Sequence, residues 1–364
     1  MKIAYVAELN LDIHKGVLQK IYQQTLCWKK SGHNVKIYIK GYTIKDVKSY
    51  ENFIFYASIL NVSPLKTKLI KKFFDKCLTH RKMVRDIKDF EPNLIYLRYR
   101  KWFPFLVKSL RSIASYVVEL NTDDVNEIRL SGSIRYYYNK ITRKFLLRRA
   151  AGLVCISDEI ARRNSNFHKP ICAIGNGYDL SSVKPLPAPC NKRPQVLFVG
   201  GGYVLWHGID KIISLAKYIR EFDFHIIGLS KSDYPLRADF PENIYFHGYL
   251  SKARLINIYN MTDVGVGSLA LHRNQMNEGS PLKVREYLAY GIPTIIGYKD
   301  IDLKAENPAI LQLPNRENNV IENIDRIRKF VINQVGKRVN PDSISMLSYR
   351  RKENIRLLFL GKLA

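Results

Sequence analysis

The sequence predicts an α/β fold of two similar halves, and three observations predict it. Short β-rich apolar runs alternate with amphipathic segments along the whole chain, the pattern of βαβ units and a parallel sheet. A second such series begins near residue 195. Between the two lies SSVKPLPAPCNKRP (181–194), with four prolines in fourteen residues, a composition suited to an interdomain linker. The 364 residues are long for one domain and sufficient for two, each with its own core.

In the first half KIAYVAE (2–8) reads as a buried strand. VLQKIYQQTLCWKKSG (17–32) has apolar residues at helical spacing and Gly32 as its stop. Strands follow at NVKIYI (34–39), NLIYLR (93–98), SYVVEL (115–120) and GLVCIS (152–157), with helical segments between them. In the second half QVLFVG (195–200) is a strand and GIDKIISLAKYI (208–219) a helix. FHIIG (224–228) and NIYFHG (243–248) are strands, and SKARLINIYN (251–260) is a helix that Ser251 can cap. DVGVGSL (263–269) and PTIIG (293–297) are strands flanking one further helix, and SYRRKENIRLLFL (348–360) is a terminal one. The expected boundaries are 1–186, 187–345 and a C-terminal helix at 346–364.

Composition narrows the class. Hydrophobic content of 46% is that of a globular protein. The net charge of +27, from 59 Lys+Arg against 32 Asp+Glu, attracts polyanions without choosing between nucleic acid, anionic lipid and phosphorylated substrates. Cys27, Cys77, Cys155, Cys172 and Cys190 are odd in number and lack C-x-x-C spacing, so neither a zinc site nor a disulfide framework is expected, and a reducing compartment fits. MKIAYVAEL is too short an apolar run for a signal peptide. No run approaches the ~18 apolar residues of a spanning helix, so a membrane would be met at its surface.

The helix at EGSPLKVREYLAYGIP (278–293) carries the densest chemistry. Ser280 or Gly279 suits the N-cap, Pro281 the first helical position, and Gly291 the left-handed stop before Pro293. Lying between two parallel strands, the helix starts at the carboxyl edge of the sheet, where α/β folds bind ligands. Its free N–H groups and dipole suit a phosphate, and Lys283 in the first turn adds a full charge. Glu286, three residues on, can accept hydrogen bonds from vicinal hydroxyls, and Glu278 can do the same for a second sugar. The other reading is a solvated Lys283–Glu286 pair with Glu278 merely favouring the dipole.

With its neighbours this segment resembles the retaining glycosyltransferases of family 4, of GT-B fold. Glu278 to Glu286 matches the family's E-x7-E motif. LFVGGGYVLWHGIDKII (197–213) resembles the strand, loop and helix that open the donor domain, and 243–269 the segment lining the base pocket. LVCISDEIARR with IGNGYD (174–179) resembles the end of the acceptor domain. The resemblance covers most of the chain and implies two Rossmann-like domains facing across a cleft, with the C-terminal helix crossing back to the first. It implies that Glu286 binds the nucleotide ribose, that Glu278 binds donor-sugar hydroxyls nearest the reacting carbon, and that Lys283 stabilises the departing phosphate. Gly279, Ser280, Pro281 and Leu282 would approach the sugar and diphosphate, and Gly16 would lie near the diphosphate across the cleft. Where the family usually places Arg and Lys, this chain has Gly201 or Gly202 and His207, so His207 would carry charge only when protonated. A His common after the VVEL-type strand is replaced by NTDD (121–124). Asp123 and Asp124, with Arg98, are acceptor-side candidates, a turn cap being the other reading of the aspartates.

The resemblance implies transfer from a nucleotide-diphosphate sugar, a co-substrate, with retention and without a covalent intermediate. A helix start and Lys283 can hold the leaving charge, so no metal or other cofactor is expected. Asp300-Ile301-Asp302 has the form of a metal-binding motif of a different fold and reads as a surface loop. Glycoside hydrolysis by the two glutamates fits poorly, because both belong to one anion-binding helix start.

Two segments concentrate the positive charge. KTKLIKKFFDKCLTHRKMVRDIK (66–88) has nine Lys/Arg and two Asp among apolar residues, and RYYYNKITRKFLLRR (135–149) has six Lys/Arg and no acid. Each reads as a basic amphipathic surface for an anionic membrane, or as a helix with its apolar face in the core. The first reading gives a cytoplasmic enzyme at the inner face of the membrane, acting on a lipid-linked or membrane-bound saccharide in polysaccharide assembly. Nucleic acid is not an expected partner, since no recognition motif accompanies the charge. The remaining alternatives are a nucleic-acid-binding protein, which the charge allows, and a non-catalytic sugar-binding or scaffold protein on the same fold.

Overall fold

The computed structural model describes residues 1–9, 15–41, 53–56, 69–129, 132–235 and 239–364. Residues 66–68 of the first basic segment and His14 before Gly16 lie outside the described residues. The chain divides into two compact units, Met1–Ile174 with Glu353–Ala364, and Gly175–Lys352. The division thus falls at 174 rather than 186, and the last dozen residues belong to the first unit.

The first unit holds strands β1 (Lys2–Glu8), β2 (Asn34–Lys40), β3 (Phe53–Tyr56), β4 (Leu94–Arg98), β5 (Ser115–Leu120), β6 (Gly152–Cys155) and β7 (Ile171–Ala173). Its helices are α1 (Lys15–Lys30), α2 (Leu69–Phe90), α3 (Leu106–Arg111), α4 (Asp124–Arg129), α5 (Ser133–Leu147) and α6 (Asp158–Arg163). The strands form one parallel sheet in the order β3-β2-β1-β4-β5-β6-β7, with Glu8 opposite Lys40. The near-continuous apolar runs of β1 and β4 follow from helices covering both faces. α1 stops at Gly32, whose φ of 82° suits the left-handed position expected of it.

The second unit holds β8 (Gln195–Val199), β9 (Asp223–Ile227), β10 (Ile244–Phe246), β11 (Val264–Val266), β12 (Glu278–Gly279), β13 (Thr294–Ile296), β14 (Lys299–Asp300) and β15 (Ile310–Gln312). Its helices are α7 (Ile209–Tyr218), α8 (Lys252–Met261), α9 (Leu282–Ala289), α10 (Ile324–Gln334) and the start of α11 (Tyr349–Gly361). A parallel sheet runs β10-β9-β8-β11-β13-β15, and β12 pairs with β14 beside it. The strand order reverses between β8 and β11, the crevice position for ligands in such folds. α9 enters between β11 and β13, and Val284 packs where a side chain on Gly267 would stand.

Candidate functional site

The helix start is built as a small platform. α9 begins at Leu282, and Pro281, with φ −66° and ψ 137°, occupies the N-cap position without a side-chain cap. This corrects the expected cap at Ser280 or Gly279 with Pro281 inside the helix. The Ser280 hydroxyl is used elsewhere: it accepts the Asn176 N–H at 2.8 Å, while the Asn176 amide donates to the Ser280 carbonyl at 2.6 Å. The far end closes as expected. Gly291 sits at φ 81°, its N–H donating to Leu288 and that of Ile292 to Tyr287.

Lys283 lies in the first turn with its ammonium buried and no hydrogen-bond partner among the described residues. It sits 3.9 Å over the Phe198 ring, and burial pulls its pKa down to about 7. His207 meets the same ring edge-on at 5.4 Å, and its Nδ1 is also buried and unpartnered. Burial, then the adjacent Lys283, holds it well below the ordinary imidazole value, against a hydrogen bond with the Gly202 backbone. His207 is therefore neutral and leaves Lys283 as the cation of this cluster. Gly201 is exposed with open space around it, and Gly202 takes φ 95°. Gly228 admits no side chain, because a Cβ there would overlap the Gly200 carbonyl oxygen.

The two glutamates precede and follow the helix start in sequence, Glu278 on β12 and Glu286 within α9. Glu278 is buried on β12 and pairs with Lys299 at 3.4 Å. Beside it, a side chain on Gly279 would press on Leu271 and Tyr298. Glu286 is half-buried, and burial raises its pKa against Lys252 and a hydrogen bond from Tyr178. Leu282 is half-buried at the first helical position.

The other face of α9 is a satisfied ionic network. Arg285 is fully buried, forks onto Asp300, reaches Asp302 at 2.8 Å and donates to the Asn176 carbonyl at 3.2 Å. Lys352 also pairs with Asp302. The reading of Asp300–Asp302 as a surface loop is thus corrected: Asp300 is buried and its oxygens are taken by Arg285. Asn176 and Tyr178 were missed in the sequence as parts of this site. Their turn belongs to the second unit, and a side chain on Gly175 would strike Asp302 and Ser280. Its signal was the Asn-Gly-Tyr-Asp turn itself.

In the first unit Asp124 is buried and forked onto Arg143, with Asn139 donating to it at 2.7 Å. Asp123 accepts from the Val125 and Asn126 amides at 3.1 and 3.2 Å and pairs with Arg163, so it acts as a turn cap. Arg98 lies 3.6 Å from buried Glu119, which Lys20 also meets at 2.8 Å and Arg356 at 3.7 Å. Burial works to raise the Glu119 carboxyl, but these cations overcome it and hold it below its ordinary range. Gly16 lies exposed in the first turn of α1.

Helix α5 carries apolar residues on two faces. Towards the protein it buries Leu146 and Leu147 together with Asn139 and Thr142, whereas Ile134, Ile141 and Phe145 are 85%, 58% and 46% exposed. Arg135, Lys140, Lys144 and Arg148 are exposed among them. The C-terminal end of α5 therefore does turn apolar residues to the core, while a second apolar stripe faces outward. Among the described residues, no helix is long and apolar enough to cross a membrane, and no cluster of His, Cys, Asp and Glu could hold a metal.

Residues 193–327 match the family model for glycosyl transferases group 1. No curated protein matches the chain by sequence. Among solved structures it is similar to sucrose-phosphate synthase from Thermosynechococcus elongatus, at 16% identity and TM-score 0.71, covering 100% of this chain and 99% of that one. It is also similar to the lipopolysaccharide outer core galactosyltransferase WaaB in its apo form, at 13% identity and TM-score 0.64, covering 99% and 100%. The catalytic domain of Starch Synthase IV from Arabidopsis thaliana, bound to ADP and acarbose, matches at 12% identity and TM-score 0.66, covering 100% and 98%. At such identities the likeness establishes the fold, and the chain has the GT-B fold, two parallel-sheet α/β units.

Proposed function

We propose that the chain is a retaining glycosyltransferase that moves a sugar from a nucleotide diphosphate to a membrane-bound or lipid-linked saccharide during polysaccharide assembly. The observation that carries this reading is Lys283: a buried ammonium without a hydrogen-bond partner among the described residues, at a helix start, flanked by Glu278 and Glu286. An unpaired buried charge is costly unless a ligand completes it. The amides of Leu282 and Lys283 open the helix and lack partners one turn back. With the ammonium they would take the charge that develops on the leaving diphosphate. Glu286 would hold the ribose hydroxyls and Glu278 those of the donor sugar. A metal is not called for, because the Asp300 and Asp302 carboxylates are engaged by Arg285 and Lys352. The match of 193–327 to glycosyl transferases group 1, and the ADP in the starch synthase, support the donor reading.

The membrane part rests on α5, whose outward apolar stripe and interspersed cations suit an anionic surface from the cytoplasmic side. The similarity to a lipopolysaccharide outer core galactosyltransferase is consistent with such an acceptor. A thermal-shift panel of nucleoside diphosphates tests the donor site. A cognate ligand at 100 times its Kd should stabilise by roughly 2.7 kcal/mol. No shift with any of them would reject the reading. With a cognate donor and acceptor in hand, Glu278→Gln should abolish transfer while leaving the fold intact.

A further inference from the structure

Helix α2 carries two apolar stripes. Met83, Ile87 and Phe90 are buried in the first unit. Phe73, Phe74 and Leu78 turn outward, with Phe74 58% exposed. Opposite them the loop after β4 presents Phe103, Pro104 and Phe105, and together these close a cavity of about 800 Å³. That size is ordinary for a site holding a small molecule, roughly 300–1,000 Å³. Phe105 has φ 70°, a left-handed conformation that a bulky side chain rarely takes, and it stands 73% exposed. Backbone strain that holds an aromatic ring in the open points to use of that ring.

The cavity's polar lining has one sign. Arg81, Arg85 and Lys88 repeat along α2 at the spacing of one helix face, and no carboxylate lines the cavity among the described residues. His80 is held neutral: burial, then Arg100, Lys76 and Lys40, lowers its pKa to about 3, and its Nε2 bonds the Ser109 hydroxyl at 2.7 Å. An apolar slot with a cationic lip suits an amphiphile with a hydrocarbon chain and an anionic head.

We propose that this cavity seats the lipid tail of the acceptor, a single hydrocarbon chain ending in phosphate, with the chain against Phe73, Phe74, Leu78 and Phe105 and the phosphate at Arg81 and Arg85. The proposal rests on the lipid-linked acceptor reading and gives it a place distinct from α5. The bilayer would be met by the stripe of α5, and one lipid would be drawn from it into the α2 cavity.

Calorimetric titration of the full chain with octyl, decyl and dodecyl phosphate, below their micellar concentrations, tests this. Each buried methylene contributes about fourfold to affinity, so two should tighten binding roughly fifteenfold while the slot is still filling. One saturable site is expected, weakened at least tenfold by Phe74→Ser with Leu78→Ser and by Arg81→Gln with Arg85→Gln, while inorganic phosphate does not compete. These side chains are exposed, and an unchanged melting temperature would confirm folding. Affinity independent of chain length, or unaltered in either variant, would overturn the proposal. Complete displacement by phosphatidylglycerol vesicles would assign the cavity to bulk bilayer lipid and overturn it as well. Sedimentation with those vesicles separates the two readings. Vesicle binding without alkyl phosphate binding removes the cavity and leaves the membrane reading. Alkyl phosphate binding without vesicle binding removes the membrane reading and leaves the cavity.

Discussion

The two faces of α9 carry cations two residues apart, and they are treated in opposite ways. On one face Arg285, fully buried, has its fork filled by Asp300, a further bond to Asp302, and the Asn176 carbonyl. On the other, the Lys283 ammonium is buried over Phe198 with no hydrogen-bond partner among the described residues. Elsewhere in the same unit the buried Lys211 finds three oxygens, those of Leu269, Arg316 and Asn319, at 2.9–3.2 Å. Buried charge in this unit is therefore satisfied by default. A completed cation holds the fold, and the proposed function gives the incomplete one to a ligand.

Breaking the satisfied face should have the largest effect. Arg285→Ala strands the Asp300 carboxylate in the interior and should destabilise the second unit by about 3–5 kcal/mol. Urea unfolding followed at Trp206, which lies in that unit, measures it. Replacing Arg285 and Asp300 together by apolar residues should cost much less than Arg285→Ala alone.

Lys283→Met should act in the reverse sense on the other face. The folded pKa of about 7 lies below the unfolded value of ~10.4. The fold therefore carries a cost that is complete below pH 7 and disappears above the unfolded pKa. The variant should melt a few degrees higher than the parent at pH 7, with the gain shrinking by pH 10. It should also bind nucleoside diphosphate roughly 10–100-fold more weakly, the worth of about 1.5–3 kcal/mol for a bond to a charged group. A lower melting temperature with unchanged binding would place Lys283 with Arg285, as structure only.

Tyr178→Phe should have the smallest effect. The Tyr178 hydroxyl bonds Glu286 and offsets part of the rise that burial imposes on its carboxyl. Without it, the acid limb of nucleotide binding should move upward in pH. Affinity measured between pH 4 and 7 reads the shift directly.

The sequence disclosed α9 because its signals are local. Gly291 and Pro293 end it, and Glu278, Lys283 and Glu286 are fixed by spacing within one short segment. Its partners were hidden because they return from far along the chain. Asp300–Asp302 read as a surface loop since nothing nearby reveals that Arg285 and Lys352 fill those carboxylates. Ser280 looked like a cap for the same reason, its hydroxyl being claimed by Asn176, 104 residues away. The basic segments were legible as amphipathic helices, but periodicity does not say which face turns inward. On α5 the inward face is that of Asn139, Thr142, Leu146 and Leu147, which leaves Ile134, Ile141 and Phe145 outside.

Proton linkage tests the central claim, that Lys283 awaits the donor's diphosphate, most directly. At pH 8 a lysine with a pKa of about 7 is mostly neutral, and an adjoining diphosphate should restore its charge. Calorimetric titration with the best-binding nucleoside diphosphate, in two buffers of different ionisation enthalpy, counts the protons exchanged. The predicted result is uptake of about one proton per ligand at pH 8 in the parent, and close to none in Lys283→Met. No uptake in the parent, or the same uptake in the variant, would contradict the claim.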